Sequence, residues 1–289
     1  MKINSVSKLP RIEKRRVNTN KGDYGKVLIV AGSLGMAGAA YLACKGAYRS
    51  GAGLVYLAIP KGIYDVVGAK LTCTVIHSLD QTVDGSISEK ALGKILQIAN
   101  NCDSVAIGPG LSQNANTGKL VTQLIRKLSI PFVLDADGLN LISKYPQILK
   151  EAKVPVVITP HQGELSRIMR VPVSQIEKDR EGISVRAANT YKIILVLKGH
   201  NTIVTDGKRV YKNPTGNPGM ATGGSGDVLT GMIATFLAQG VAPFNAAQLA
   251  VYIHGFAGDL AAKNVGEVSM LATDILGYLP TAFKLYQSR

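Results

Sequence analysis

Tryptophan is absent from the 289-residue chain, and aromatic residues make up only 6% of it. Proteins that grip single-stranded nucleic acid stack bases on aromatic rings, so this scarcity removes that platform. Only three cysteines occur, Cys44, Cys73 and Cys102. They form neither a C-x-x-C pair nor an even set for bridging, which excludes a disulfide framework and fits a reducing compartment. No apolar run approaches the roughly 18 residues of a membrane span, and the opening MKINSVSKLPRIEKRR lacks the apolar centre of a secretory signal. A cytoplasmic protein with no membrane segment is the expectation.

Positive charge is in excess, with 33 Lys and Arg against 19 Asp and Glu, a net charge of +14. Beyond the first 26 residues these cations are dispersed. Such a field steers anions in general, and small phosphate-rich molecules benefit from it; no nucleic-acid partner is expected. Hydrophobic residues at 46% suffice for a sizeable core. With no linker, low-complexity segment or repeat in view, one domain over residues 1–289 is expected, led by a basic arm over about residues 1–25.

Short β-branched runs at residues 26–32, 54–59, 72–76, 104–107, 132–134, 156–159 and 193–197 alternate with helical patterns. That alternation predicts an α/β fold with a mainly parallel, doubly wound sheet covered by helices on both faces. Residues 202–213 read as a hairpin turned at Asp206 and Gly207. In such sheets ligands gather at the carboxyl ends of strands, which directs attention to the residues after each run.

The most telling stretch is NPTGNPGMATGGSGDVLTG, residues 213–231, where a glycine-dense loop breaks into an amphipathic helix. Gly223, Gly224 and Gly226 leave their amides free to close around an anion at the helix's positive end. Asp227, at the helix mouth, could cap those amides or take a proton from a hydroxyl that attacks a bound phosphate. Elsewhere, Gly32, Gly35 and Gly38 are spaced G-x-x-G-x-x-G, which is not the dinucleotide fingerprint, and the small residues around Ala39 suit tight helix packing. IGPGLS places Gly110 in a turn after one strand. DADGLN places Asp135 and Asp137 after another, where they could hold a cation or cap the next helix. TPHQGE and LKGHNTIV deliver His161, Glu164 and Lys198 to two further strand ends. His254, mid-helix, reads as a packed structural histidine.

Taken together, GMAGAA, IGPGLS, TPHQGE, LKGHNT and TGGSGDVLTG, in this order along the chain, resemble the ADP/ATP-dependent NAD(P)H-hydrate dehydratases of the ribokinase-like superfamily. The resemblance implies a three-layer αβα fold and a lyase that removes water from the (S) form of hydrated NADH or NADPH. It implies Asp227 as the catalytic base, and Ala39, Gly110, His161 and Asp227 around the hydrate. Gly223, Gly224, Ser225 and Gly226 would hold the phosphates of ADP or ATP, and Lys198, Gly199, His200, Asn201 and Thr202 would wrap the nucleotide. Glu164 would organise Mg2+ through water. Two departures stand out: Ser112 replaces a usual glycine and Gln162 a usual proline. The family further implies a homo-oligomer and a separate epimerase as pathway partner, since the chain is too short for a fused epimerase domain. A kinase of a hydroxymethylpyrimidine or thiazole alcohol shares the glycine loop and base, but usually has asparagine where this chain has His161.

Overall fold

The computed structural model describes residues 3–288; Met1 and Lys2 of the basic arm, and Arg289, lie outside the described residues. Its strands are β1 (Asn4–Ser5), β2 (Lys26–Val30), β3 (Leu54–Pro60), β4 (Val75–Leu79), β5 (Ser104–Ile107), β6 (Phe132–Leu134), β7 (Val156–Ile158), β8 (Ile194–Leu197), β9 (Ile203–Thr205) and β10 (Arg209–Lys212). They form one ten-stranded sheet in the order β1-β10-β9-β8-β7-β6-β5-β2-β3-β4. From β4 across to β8 every pairing is parallel, and β9 and β10 fold back as the antiparallel hairpin expected around Asp206 and Gly207. The helices are α1 (Ala37–Arg49), α2 (Tyr64–Gly68), α3 (Leu92–Ala99), α4 (Ala115–Lys127), α5 (Asp137–Ile142), α6 (Gln162–Met169), α7 (Val173–Lys178), α8 (Arg180–Tyr191), α9 (Ser225–Ala238), α10 (Pro243–Val265) and α11 (Ala272–Gln287).

Alternate strand residues feed two separate cores. Val27, Ile29, Val55 and Leu57 pack with α1, α9, α10 and α11 on one face. Leu28, Val30, Val105 and Phe132 pack with α3, α4, α5, α6 and α8 on the other. A period of two turns successive side chains to opposite faces, and because both faces are covered the central strands are apolar without interruption. The α/β, three-layer expectation therefore holds. Helix α9 lies tight against α1: a Cβ at Gly231 would sit 2.0 Å from the Ala43 carbonyl oxygen.

One strand is shifted from where the sequence suggests. The run at 72–76 is strand only at Val75 and Ile76; β4 is Val75–Leu79, on the sheet edge beside β3. An edge strand is half-solvated, so His77 and Ser78 are tolerated in it and blur the apolar signal that places interior strands. The basic arm is likewise structured. Its β1 pairs with β10, and Val6, Leu9 and Ile12 then lie against the α9–α11 layer.

Candidate active site

Helix α9 starts without a side-chain cap. Gly224 precedes it with φ 92°, and a Cβ there would meet Leu42 Cδ1 at 2.2 Å, so only glycine permits this entry. The amides of Gly226 and Asp227, in the first turn, have no intrahelical acceptor and form an open positive end, and at Gly223 a Cβ would meet nothing. Asp227 does not cap the helix. Its carboxyl makes no hydrogen bond to a protein donor; burial, and then Asp135, push its pKa up to about 7 against the pull of Lys198.

Beside it lies a buried polar cluster. Lys198 Nζ is 2.7 Å from Asp135 Oδ1 and 3.9 Å from Glu164 Oε2. Thr230 Oγ1, from α9, donates to Asp135 Oδ2 at 2.7 Å. Burial works against the Lys198 charge, yet Asp135 and Glu164 outweigh it and hold the ammonium above its usual pKa. A Cβ at Gly226 would stand 3.3 Å from Lys198 Nζ, so the missing side chain leaves the ammonium facing the helix mouth. Asp135 was legible in the sequence only as a strand-end acid; its pairing with Lys198 and Thr230 was not. Asp137 neither caps α5 nor joins the cluster, and its Oδ2 accepts the Ser112 amide at 2.9 Å. Ser112 takes φ 67°, so the serine adopts the shape a glycine would have there.

His161 and Glu164 form a reciprocal capping box at the start of α6. The Glu164 amide donates to His161 Nδ1 at 3.1 Å, and the His161 amide donates to Glu164 Oε2 at 2.8 Å. With Nδ1 accepting, neutral His161 carries its proton on Nε2. Burial, then Lys198 and Arg167, lower its pKa. Burial raises Glu164 to about 7, opposed by Lys198. Among the described residues no group of three or more His, Cys, Asp or Glu is placed to cage a metal. With Oε2 on the His161 amide and Oε1 3.5 Å from His161 Nε2, Glu164 fits a Mg2+ that brings phosphate and water ligands with it, and not one held by protein alone.

Strand order reverses between β2 and β5, the switch point where α/β sheets open a crevice. Two loops are tied together there: Gly32 N donates to Pro109 O at 2.8 Å, and Ser33 Oγ to Gly110 O at 2.9 Å. Gly110 and Ala39 consequently meet; a Cβ at Gly110 would be 2.9 Å from that of Ala39 and 3.0 Å from that of Met36. Leu34, 67% exposed, adds bare apolar surface at this mouth. Ala39, Gly110, Asp135, His161 and Lys198 thus follow the ends of five strands adjacent in the sheet, β2, β5, β6, β7 and β8.

Gly199, His200, Asn201 and Thr202 form the turn from β8 to β9. Arg180 from α8 fastens it, donating to the carbonyls of Leu197, Lys198 and His200. The Asn213 amide donates to Thr202 O at 2.9 Å, which ties this turn to the start of the glycine stretch. That stretch is anchored in turn to α10, where Asp259 accepts from Gly216 N and Asn217 Nδ2, both at 3.0 Å. Arg180 and Asp259 carry no local motif and were invisible in the sequence. His254 is buried in α10 as expected, held neutral by burial with its pKa lowered to about 4, and its Nε2 lies 3.5 Å from Ser225 Oγ.

Among known proteins, the family described as NAD(P)H-hydrate dehydratase matches residues 27–281. The bifunctional NAD(P)H-hydrate repair enzyme Nnr of Moorella thermoacetica is 44% identical over 276 residues, 95% of this chain and 51% of that protein. The chain spans about half the length of the curated relatives it matches. The solved ADP/ATP-dependent NAD(P)H-hydrate dehydratase from Bacillus subtilis, co-crystallized with ATP/Mg2+, has a TM-score of 0.81 at 31% identity, covering 96% of this chain and 95% of that one. A ribokinase-like superfamily protein from Enterococcus faecalis has a TM-score of 0.83 at 26% identity, covering 99% of this chain and 97% of its own, and the fold is of that type. With the strand-end blocks in place and the family matched across 27–281, the chain belongs to the NAD(P)H-hydrate dehydratase family.

Proposed function

We propose that this chain dehydrates the (S) form of hydrated NADH or NADPH to the reduced cofactor, using ADP or ATP and releasing phosphate with AMP or ADP. The observation that carries the reading is Asp227: an unpartnered carboxyl with a pKa near 7, set beside open helix amides and the Lys198 ammonium. Hydroxide leaves a ring poorly, whereas phosphate leaves well. Asp227 takes the proton of the ring hydroxyl as its oxygen forms a bond to the terminal phosphorus, and the bond from that phosphorus to the nucleotide breaks. The ring-nitrogen lone pair then expels phosphate from the adjacent carbon, and loss of a proton from the next carbon restores the double bond.

In this reading the amides around Gly223, Gly224, Ser225 and Gly226, with Lys198, hold the terminal phosphates, which gather charge during transfer. The turn Gly199, His200, Asn201 and Thr202 wraps the rest of the nucleotide. Ala39 and Gly110 form a close wall for the hydrated ring, and His161, whose Nε2 lies 3.5 Å from Glu164 Oε1, stands beside it. At about 4.8 Å per strand, the five strand ends reach about 19 Å across, which suits an extended cofactor beside a nucleotide. When bound, Mg2+ would offset phosphate charge, with Glu164 as its nearest carboxylate through water. A cytoplasmic homo-oligomer supplied by a separate epimerase, with residues 1–289 as one catalytic domain, completes the proposal.

The test is recovery of the reduced-nicotinamide absorbance when hydrated NADH is incubated with the chain and ADP or ATP. Nucleotide-dependent recovery is expected. No recovery, with phosphorylation of a pyrimidine or thiazole alcohol instead, would overturn the proposal in favour of a kinase.

A further inference from the structure

A cavity of about 700 Å3 lies under the basic arm, between it, the end of α1, the end of α9 and α11. It is remote from the strand-end site. Helix α9 has 14 residues and is therefore about 20 Å long, with Asp227 in its first turn and Phe236 and Gln239 at the cavity. The volume is that of a small-molecule site. Val241, Phe283 and the almost wholly buried Phe236 are among its lining residues, together with the cations Arg11, Lys14, Arg16 and Arg49 and the acids Glu13 and Asp23.

Helix carboxyl ends attract cations, so the arm's charge has a simpler use to be considered first. Arg15 serves that use: its Nη2 donates to Gly51 O at 2.8 Å and its guanidinium stacks 3.8 Å over the Tyr24 ring. Among the described residues, Arg11, Lys14, Arg16 and Arg49 make no ion pair. Five cations, Arg11, Lys14, Arg15, Arg16 and Arg49, against two acids, Glu13 and Asp23, leave the lining with an excess of positive charge that an anion would offset. Ser50, which also lines the cavity, has a buried hydroxyl with no hydrogen-bond partner. We propose that this cavity is a second binding site, for a phosphorylated small molecule of nucleotide size. Its phosphates would lie among Arg11, Lys14, Arg16 and Arg49, and its apolar or aromatic part against Val241 and Phe283.

Calorimetric titration of the full chain with ADP at low ionic strength tests this, with uncharged adenosine as control. Two ADP equivalents per chain are expected in the wild type, and none of adenosine at the second site. In Arg16→Glu/Arg49→Glu the second equivalent should weaken by at least about tenfold while the other is unchanged, because each reversal replaces an attraction by a repulsion. These residues are exposed, and an unchanged melting temperature confirms folding; Arg11→Glu/Lys14→Glu serves if the first pair does not fold. One ADP equivalent that the reversals abolish would leave this inference standing and sink the catalytic nucleotide site. One equivalent that survives the reversals, or two that both survive, overturns the inference.

Discussion

Asp227 and Glu164 have pKa values near 7 because burial raises both, with Asp135 adding to the effect and Lys198 opposing it. A folded-state pKa above the unfolded one means that the native state holds the proton more tightly. For Asp227 this contribution is present in full below pH 4, is lost as pH rises from about 4 to about 7, and leaves a constant penalty above that. Asp227→Asn removes the penalty. We expect it to raise stability at pH 8 by roughly 1–3 kcal/mol and to leave it unchanged at pH 4, as measured by chemical denaturation at both values. An equal effect at the two pH values would show that Asp227 is not held protonated by its surroundings. Lys198 carries the opposite lesson. Removing it strands Asp135, which is 1% exposed. Lys198→Met should cost about 2–4 kcal/mol, and Asp135→Asn in addition should restore much of that loss. Additive losses would mean that the two groups do not depend on each other.

At the scale of elements, the site is made where strands hand over to helices, and backbone strain is stored at one such handover. Ala136, between β6 and α5, has φ 49° and ψ −121°, a conformation suited to glycine. It is held because Asp135 on one side is pinned by Lys198 and Thr230, and Asp137 on the other by the Ser112 amide. Ala136→Gly should therefore stabilise the fold by about 1 kcal/mol, and a loss in thermal or denaturant unfolding would show that the conformation is not strained. Local elements of this kind were largely readable. The glycine loop, the hairpin at Asp206 and Gly207 and the interior strands all announce themselves within a few residues. The edge strand β4 did so only at Val75 and Ile76, because a half-solvated edge needs no continuous apolar run. Lys198 was recognisable as part of a nucleotide-facing segment, but Asp135 is 63 residues from it and 95 from Thr230. Only the sheet order brings those three together.

For the whole molecule, sheet topology sets the reach of the site. Placing β2 beside β5 puts Ala39 against Gly110, and the same row continues through β6, β7 and β8 to the Lys198 turn. The hairpin and the long helix α10 then carry the glycine loop back over the end of that row. Among the described residues no helix is long and apolar enough to cross a membrane. The excess charge read from the composition is spread over the chain; Lys198 is offset in the site by Asp135 and Glu164, while among the described residues Arg11, Lys14 and Arg16 of the arm make no ion pair. The account turns on Asp227 as the base next to a bound polyphosphate. It is tested most directly by measuring, at pH 8, both ADP affinity and the rate of hydrated-NADH dehydration for wild type and Asp227→Asn. We expect ADP affinity within a few-fold of wild type and a rate lower by about 10² to 10⁴, on the order of 3–5 kcal/mol of transition-state stabilisation. A near-normal rate in the variant would contradict the account.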